Sequence, residues 1–143
     1  MKLGKRIAWL VVIAALGLLA AMAGILYNAY HVFSIEDKIH DTYFPVVAAL
    51  YHFEDDHVFP ATNLVQLVPA YLPKIPNSPM VDSVEYTVID SGRDWQLALT
   101  SHALSQPRVY CCRSNPIFSA EEEHRVVQRY HGVWTVMRLP SGR

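Results

Sequence analysis

The residues most able to do chemistry in this chain of 143 lie around His52 and His57, which enclose Glu54, Asp55 and Asp56. Imidazoles and carboxylates together are the donor set of a divalent cation. The histidines stand five positions apart, however, and the i, i+4 interval is the one that puts two side chains on a single helix face. The acidic trio, followed by Phe59 and Pro60, therefore reads as the solvated end of a helix, and no metal site is expected. His40 sits four positions after Glu36, which predicts a surface pair worth about 0.2–0.5 kcal/mol. Ser83 and the Ser101-His102 pair lack a glycine-rich elbow, and neither G-x-S-x-G nor H-E-x-x-H occurs. Asp90 and Asp94 flank Gly92, where acidic residues serve turn geometry. Glu121, Glu122 and Glu123 suit a loop or the start of a helix, and Trp95 and Trp134 suit strand positions better than a ligand stack. Cys111 and Cys112 are adjacent, so in a strand they point to opposite faces and a bond between them requires a distorted peptide. One core thiol and one exposed or partly exposed thiol are expected; a vicinal disulfide is the alternative, which an oxidising exterior permits. No catalytic residue, cofactor or small-molecule substrate is expected, and the chain reads as non-enzymatic.

The elements that would carry these residues begin with a long apolar segment. No Asp, Glu, Lys or Arg occurs between positions 7 and 35, directly after Lys2, Lys5 and Arg6. A helix of about 20 residues, rising ~1.5 Å each, covers the ~30 Å hydrocarbon core of a bilayer. The basic residues precede the span and Glu36, Asp37 and Lys38 follow it, so the N-terminus is expected inside and the rest outside. The expected layout is a cytoplasmic N-terminus at 1–6, a transmembrane helix at 7–27 and an extracytoplasmic domain at 28–143. Cleavage after Ala23, at Ala21-Met22-Ala23, is the competing reading as a signal peptide, but apolar character continues through Ile25, Leu26, Tyr27, Tyr30, Val32 and Phe33. Trp9 suits an interfacial anchor. Gly17, Ala21 and Gly24 lie near one face and would let another membrane helix approach closely. Beyond the span, nine basic residues face thirteen acidic ones, which removes the electrostatic basis for binding nucleic acid.

Past the membrane, Ile35, Ile39, Tyr43, Val46, Val47, Leu50 and Phe53 keep helical spacing, in phase across Pro45, which predicts a kink rather than a stop. A proline-punctuated stretch follows, with one short helix near 63–68 capped by Asn63. Val84, Tyr86 and Val88 alternate as a half-buried strand, Ser91-Gly92-Arg93 turn, and Trp95, Leu97 and Leu99 return. A β-rich piece covers 109–112, and a second hairpin runs from 125–130 through His131-Gly132 to 133–139. The fold class is α+β: a long N-terminal transmembrane helix continuing into an outer domain, packed on an antiparallel sheet of about four strands.

The run Ala49-Leu50-Tyr51-His52-Phe53-Glu54-Asp55-Asp56-His57-Val58-Phe59-Pro60 resembles the type II secretion pseudopilin segment A-L-x-x-Y-x-x-D-N-G-x-Y-P. Leu64 and Leu67 match that family's short helix, Val68-Pro69-x-Tyr71-Leu72-Pro73 its L-V-P-x-Y-L-P, and Pro76-Asn77-Ser78-Pro79 its P-x-D-P. The resemblance spans about 46–100 and implies a pilin-like fold in which Tyr51, Phe59, Pro60, Tyr71, Leu72, Pro76 and Pro79 wedge a connecting loop between helix and sheet. It also implies a bacterial inner-membrane protein with a periplasmic domain, acting through contacts with other membrane or secretion- or pilus-type proteins. The chain departs from the family at Gly4, which precedes Lys5, and in having no acidic residue before Glu36. His57 stands where the family has a turn glycine, and no Asp-rich calcium loop follows Leu99. An uncleaved anchor is therefore expected. The alternative from a different class is a membrane-anchored periplasmic ligand-binding or sensing module.

Overall fold

The computed structural model describes residues 2–130 and 132–139, with side chains from Ile7 onward. The side chains of Lys2, Lys5 and Arg6 and the turn residue His131 lie outside the described residues. The chain divides into two units, 1–36 and 37–143.

The first unit consists of helix α1 (Lys2–His57) up to residue 36. Alanine and leucine dominate it, and these lose little side-chain freedom in a helix. Apolar residues occupy every side, so there is no polar face. Ile7, Trp9, Leu10, Ile13, Leu16, Leu19, Ile25 and Phe33 are all exposed. Among the described residues this is a helix long and apolar enough to cross a membrane, with an 18-residue window of mean hydropathy 2.5 of which none is buried.

The second unit opens with the remainder of α1, where the pattern changes from apolar all round to a stripe. Ile39, Tyr43, Val46, Val47 and Leu50 are buried, while Asp37, Lys38, Asp41 and Phe44 are exposed. Pro45 lies inside the helix on its exposed side and does not end it. A 3-10 turn, Leu64–Leu67, follows; the Asn63 carboxamide accepts from the Gln66 N–H at 3.3 Å and Leu67 is buried beneath it. The strands are β1 (Ser83–Ile89), β2 (Asp94–Ser101), β3 (Arg108–Arg113), β4 (Val126–Tyr130) and β5 (Trp134–Arg138), with a one-turn helix α2 (Ala120–Glu123) before β4. They form one sheet of five strands, ordered β1-β2-β3-β5-β4, one more than the count of about four expected from sequence. Every pairing is antiparallel. Along β2 the residues alternate, with Trp95, Leu97, Leu99 and Ser101 buried. The core lies between this face and residues 39–50 of α1.

β3 departs from that alternation. Val109, Tyr110, Cys111 and Cys112 are all buried. Leu97 faces Cys112 and Ala98 faces Cys111 across the ladder, so the two thiols do point to opposite faces. Both faces are covered at this central strand, which is why the expectation of one exposed thiol fails. The thiols are free and not joined in a vicinal disulfide.

Candidate functional site

Two indole clamps fix α1 to the sheet within the second unit. The Trp95 Nε1–H donates to Glu54 Oε2 at 3.2 Å, and the Trp134 Nε1–H donates to His40 Nδ1 at 3.1 Å. An indole nitrogen is a donor only, so His40 Nδ1 must be the bare nitrogen of its ring. Both tryptophans are almost fully buried, at 0% and 2% exposed, and their polar atoms are satisfied without water. His40 was expected to face solvent beside Glu36; it turns instead toward β5, with Tyr130 edge-on at 6.1 Å. The partners are separated by 94 residues, so local spacing carried no sign of the contact.

The motif residues fall into two groups. Tyr51 lays its ring edge-on to Trp95 at 5.2 Å and donates its hydroxyl to Arg113 O at 3.5 Å; burial pushes that hydroxyl above its ordinary pKa. Pro60 and Leu72 are buried, and the Tyr71 hydroxyl donates to Asp56 at 2.6 Å, a bond that raises the Tyr71 pKa. Tyr86 closes the loop from the sheet side by donating to Ala61 O at 2.7 Å, and burial followed by the Glu54 charge pushes it up to about 12. The connecting loop is thus tied at Tyr51, Pro60, Tyr71 and Leu72, as a wedge between helix and sheet requires. Pro76 is half-buried, whereas Pro79 is exposed and Phe59 is 66% exposed. Phe59 and Pro79 therefore take no part in the wedge.

His57 stacks on Phe53 at 4.1 Å, and its Nδ1 lies 3.0 Å from Phe53 O. Among the described residues, no three of His, Cys, Asp and Glu converge on a point where they could hold a metal. Asp82 Oδ2 lies 2.8 Å from His102 Nδ1 at the surface, and this hydrogen bond lowers the Asp82 pKa.

Behind β3, the segment after Arg113 folds back over Cys111. Arg113 donates Nε to Gln96 Oε1 at 2.6 Å, Nη1 to Ile117 O at 2.8 Å and Nη2 to Glu122, and its guanidinium lies 4.3 Å from the Phe118 ring centre. Glu122 also completes a capping box with Ser119 at the start of α2. The Arg113 hydrogen bond, followed by the Ser119 N–H, holds the Glu122 carboxyl down at about 2. Burial pushes Cys111 up to about 11 and Cys112 to about 12, so both thiols stay protonated and unreactive at neutral pH. A cavity of about 120 Å³ remains between Tyr51, Cys112, Phe118 and Val133. Small-molecule sites occupy about 300–1,000 Å³, so this one has room for water and little more.

In the first unit Gly17, Ala21 and Gly24 are exposed, and a Cβ placed on either glycine would meet nothing within 4 Å. No described residue of the chain covers this face. Sequence reasoning missed His40, Glu54, Arg113 and Glu122 as ties, because each acts on a residue far along the chain or on a segment whose path the spacing does not give.

In element order, an apolar N-terminal helix followed by an antiparallel sheet, the chain is pilin-like. No protein-family model, curated protein or solved structure matches it.

Proposed function

We propose that this chain is a single-pass protein of the bacterial inner membrane, with its N-terminus in the cytoplasm and residues 37–143 folded in the periplasm. It works by protein–protein contact in an assembly of the secretion or pilus type rather than by catalysis. The observation that carries this reading is the exposed apolar surface of α1 between Ile7 and Phe33. In water such a surface would drive aggregation; in lipid it costs nothing. Lys2, Lys5 and Arg6 before the span favour an inside N-terminus. A contact role is supported by the outer domain, where Tyr51, Tyr86, Trp95, Trp134 and Arg113 are engaged in bonds that tie elements together. The pseudopilin resemblance at 46–100 points to the class of partner, and the small residues Gly17, Ala21 and Gly24 form the face on which a membrane helix would pack.

The test is extraction of the intact chain from native membranes after crosslinking, with a membrane-impermeant thiol probe on Ser141→Cys to report topology. Recovery of secretion or pilus proteins, with the C-terminus labelled from outside, is the expected result. A cytoplasmic C-terminus overturns the reading. So does recovery of a bound small molecule with no protein partner, which favours the sensing module. Gly17→Leu with Ala21→Leu should reduce the crosslinked partners.

A further inference from the structure

The sheet has two edges, β1 and β4, separated by four antiparallel pairings. Four reversals restore the starting direction, so β1 and β4 run parallel. A second copy can therefore lay its β4 along β1 without being turned end over end. A two-fold β1–β1 pairing would be antiparallel and would reverse residues 37–57 in one copy. It would also set Glu85, Asp82 and Asp90 of two copies against one another, like charge on like charge.

The edges are also opposite in charge. β1 has seven residues, with no proline, lysine or bulge, which are the devices that blunt an exposed edge. Its one charge is Glu85, and Asp82 and Asp90 stand just beyond its ends. Residues 124–130 carry Arg125 and Arg129 and no acid. Register places the two charges on one face. Tyr86 pairs with buried Leu97 on the α1 side, so Glu85, opposite Ala98, points away from α1. Tyr130 pairs with Trp134, whose indole reaches His40, so Arg129, opposite Thr135, also points away. Glu85 is exposed and makes no hydrogen bond or ion pair with the described residues, while Arg129 is about half exposed and holds Glu123 at 2.7 Å.

We propose that β4 of one copy lies along β1 of the next, with Arg129 beside Glu85, forming a lateral seam between like-oriented copies of this chain. The same register sets Tyr130 beside Tyr86 and Gln128 beside Val84. The bulge between Val126 and Gln128 limits the regular contact to Gln128–Tyr130, so the seam is short and depends on the high local concentration that a shared membrane supplies. Because the interface is head-to-tail, it propagates instead of closing as a two-fold dimer. This inference rests on the membrane-anchored reading above.

The experiment uses the full chain in membranes, carrying Val84→Cys with Gln128→Cys, under mild oxidation. Neighbouring strands lie ~4.8 Å apart, within disulfide reach, and the native thiols are buried. A ladder of dimers and larger species is expected from the double variant and none from either single variant. Glu85→Cys with Arg129→Cys, on the other sheet face, should give the same ladder and guards against one pair failing to fold. Glu85→Arg in the first background should abolish it. Absence of a ladder from both pairs, or dimers from Val84→Cys alone, overturns the seam. Carbonate extraction of the same samples separates that outcome from failure of the anchored reading, in which the chain would leave the membrane.

Discussion

Helix α1 holds two stretches with the same backbone and opposite surface logic. Between Ile7 and Phe33 its large apolar residues are exposed on every side; between Ile39 and Leu50 they form a buried stripe with charged neighbours turned outward. Apolar content alone does not distinguish the two, but its angular distribution does. A stripe ~100° wide is matched by one protein surface, whereas an all-round apolar rod is matched only by a surrounding apolar solvent. The large apolar side chains of the first stretch stand exposed among the described residues, and the second is fixed by hydrogen bonds from two buried indoles. The first therefore depends on its environment and the second on particular partners, so substitutions should act differently in each.

The largest effect is expected in the first stretch. Placing arginines at Leu16 and Leu19 adds two charges near the centre of the span, each costing about 2.5–3.5 kcal/mol on an insertion scale. The double variant should move from the carbonate-resistant membrane fraction to the soluble or degraded one, with little consequence for the fold of residues 37–143. Retention in the membrane fraction would break the comparison. In the second stretch, Trp95→Ala should cost about 3–5 kcal/mol by emptying a fully buried site. His40→Ala should cost about 1–3 kcal/mol, because it leaves the buried Trp134 N–H without its acceptor. Thermal unfolding of the detergent-extracted chain, followed by tryptophan fluorescence, ranks them. Equal losses at Trp95 and His40 would mean that the clamp at β5 matters more than its single hydrogen bond implies.

The same contrast governs what the sequence made legible. Ile39, Tyr43, Val46, Val47 and Leu50 could be read from spacing because a helix repeats locally, and the β1–β2 hairpin because Gly92 sits between two alternating runs. The Asn63 cap is three residues from the amide it accepts. What stayed hidden depends on distant pairs. The position of β5 between β3 and β4 and the turn of His40 toward Trp134 join parts of the chain that no window spans, and the burial of Cys111 beneath 114–123 follows from a loop path that has no periodicity to read. The hold of Arg113 on Glu122 depends on the path of the chain between them, which spacing does not give. Of the pseudopilin-like residues, Tyr51, Pro60, Tyr71 and Leu72 are buried or bonded to neighbouring elements, while the loop turns Phe59 and Pro79 outward.

The Arg113–Glu122 tie sharpens the comparison through pH. Its carboxyl titrates at about 2 in the folded chain against an ordinary 4.5. As pH falls, the unfolded chain takes up the proton first, so the stability supplied by this tie is complete above about 4.5 and is lost progressively toward 2. Glu122→Gln should lower the melting temperature at neutral pH and flatten the acid limb, both read from melting temperature against pH. The first stretch of α1 carries no acidic group, so membrane retention should be unchanged over the same range. An acid limb as steep in Glu122→Gln as in the parent would show that another carboxylate controls it.

The smallest effect concerns the end of α1, where His57 was expected to occupy the position of a turn glycine. His57 remains helical, stacked on Phe53, and the left-handed residue is its neighbour Val58 at φ 67°. Val58 donates its N–H to Glu54 O at 2.8 Å, the single bond of a left-handed helix cap. A β-branched side chain in that conformation costs about 1–2 kcal/mol, and glycine is the residue that avoids it. Val58 is 79% exposed, so replacing it sacrifices little packing. Glycine also makes the unfolded chain more flexible, which offsets part of the gain. Val58→Gly should therefore raise stability by about 1 kcal/mol or less, a rise of a few degrees in melting temperature for a unit of this size. A fall instead would show that the Val58 side chain makes a contact outside the folded chain, and that the exposed end of α1 belongs with the stretch that depends on its surroundings.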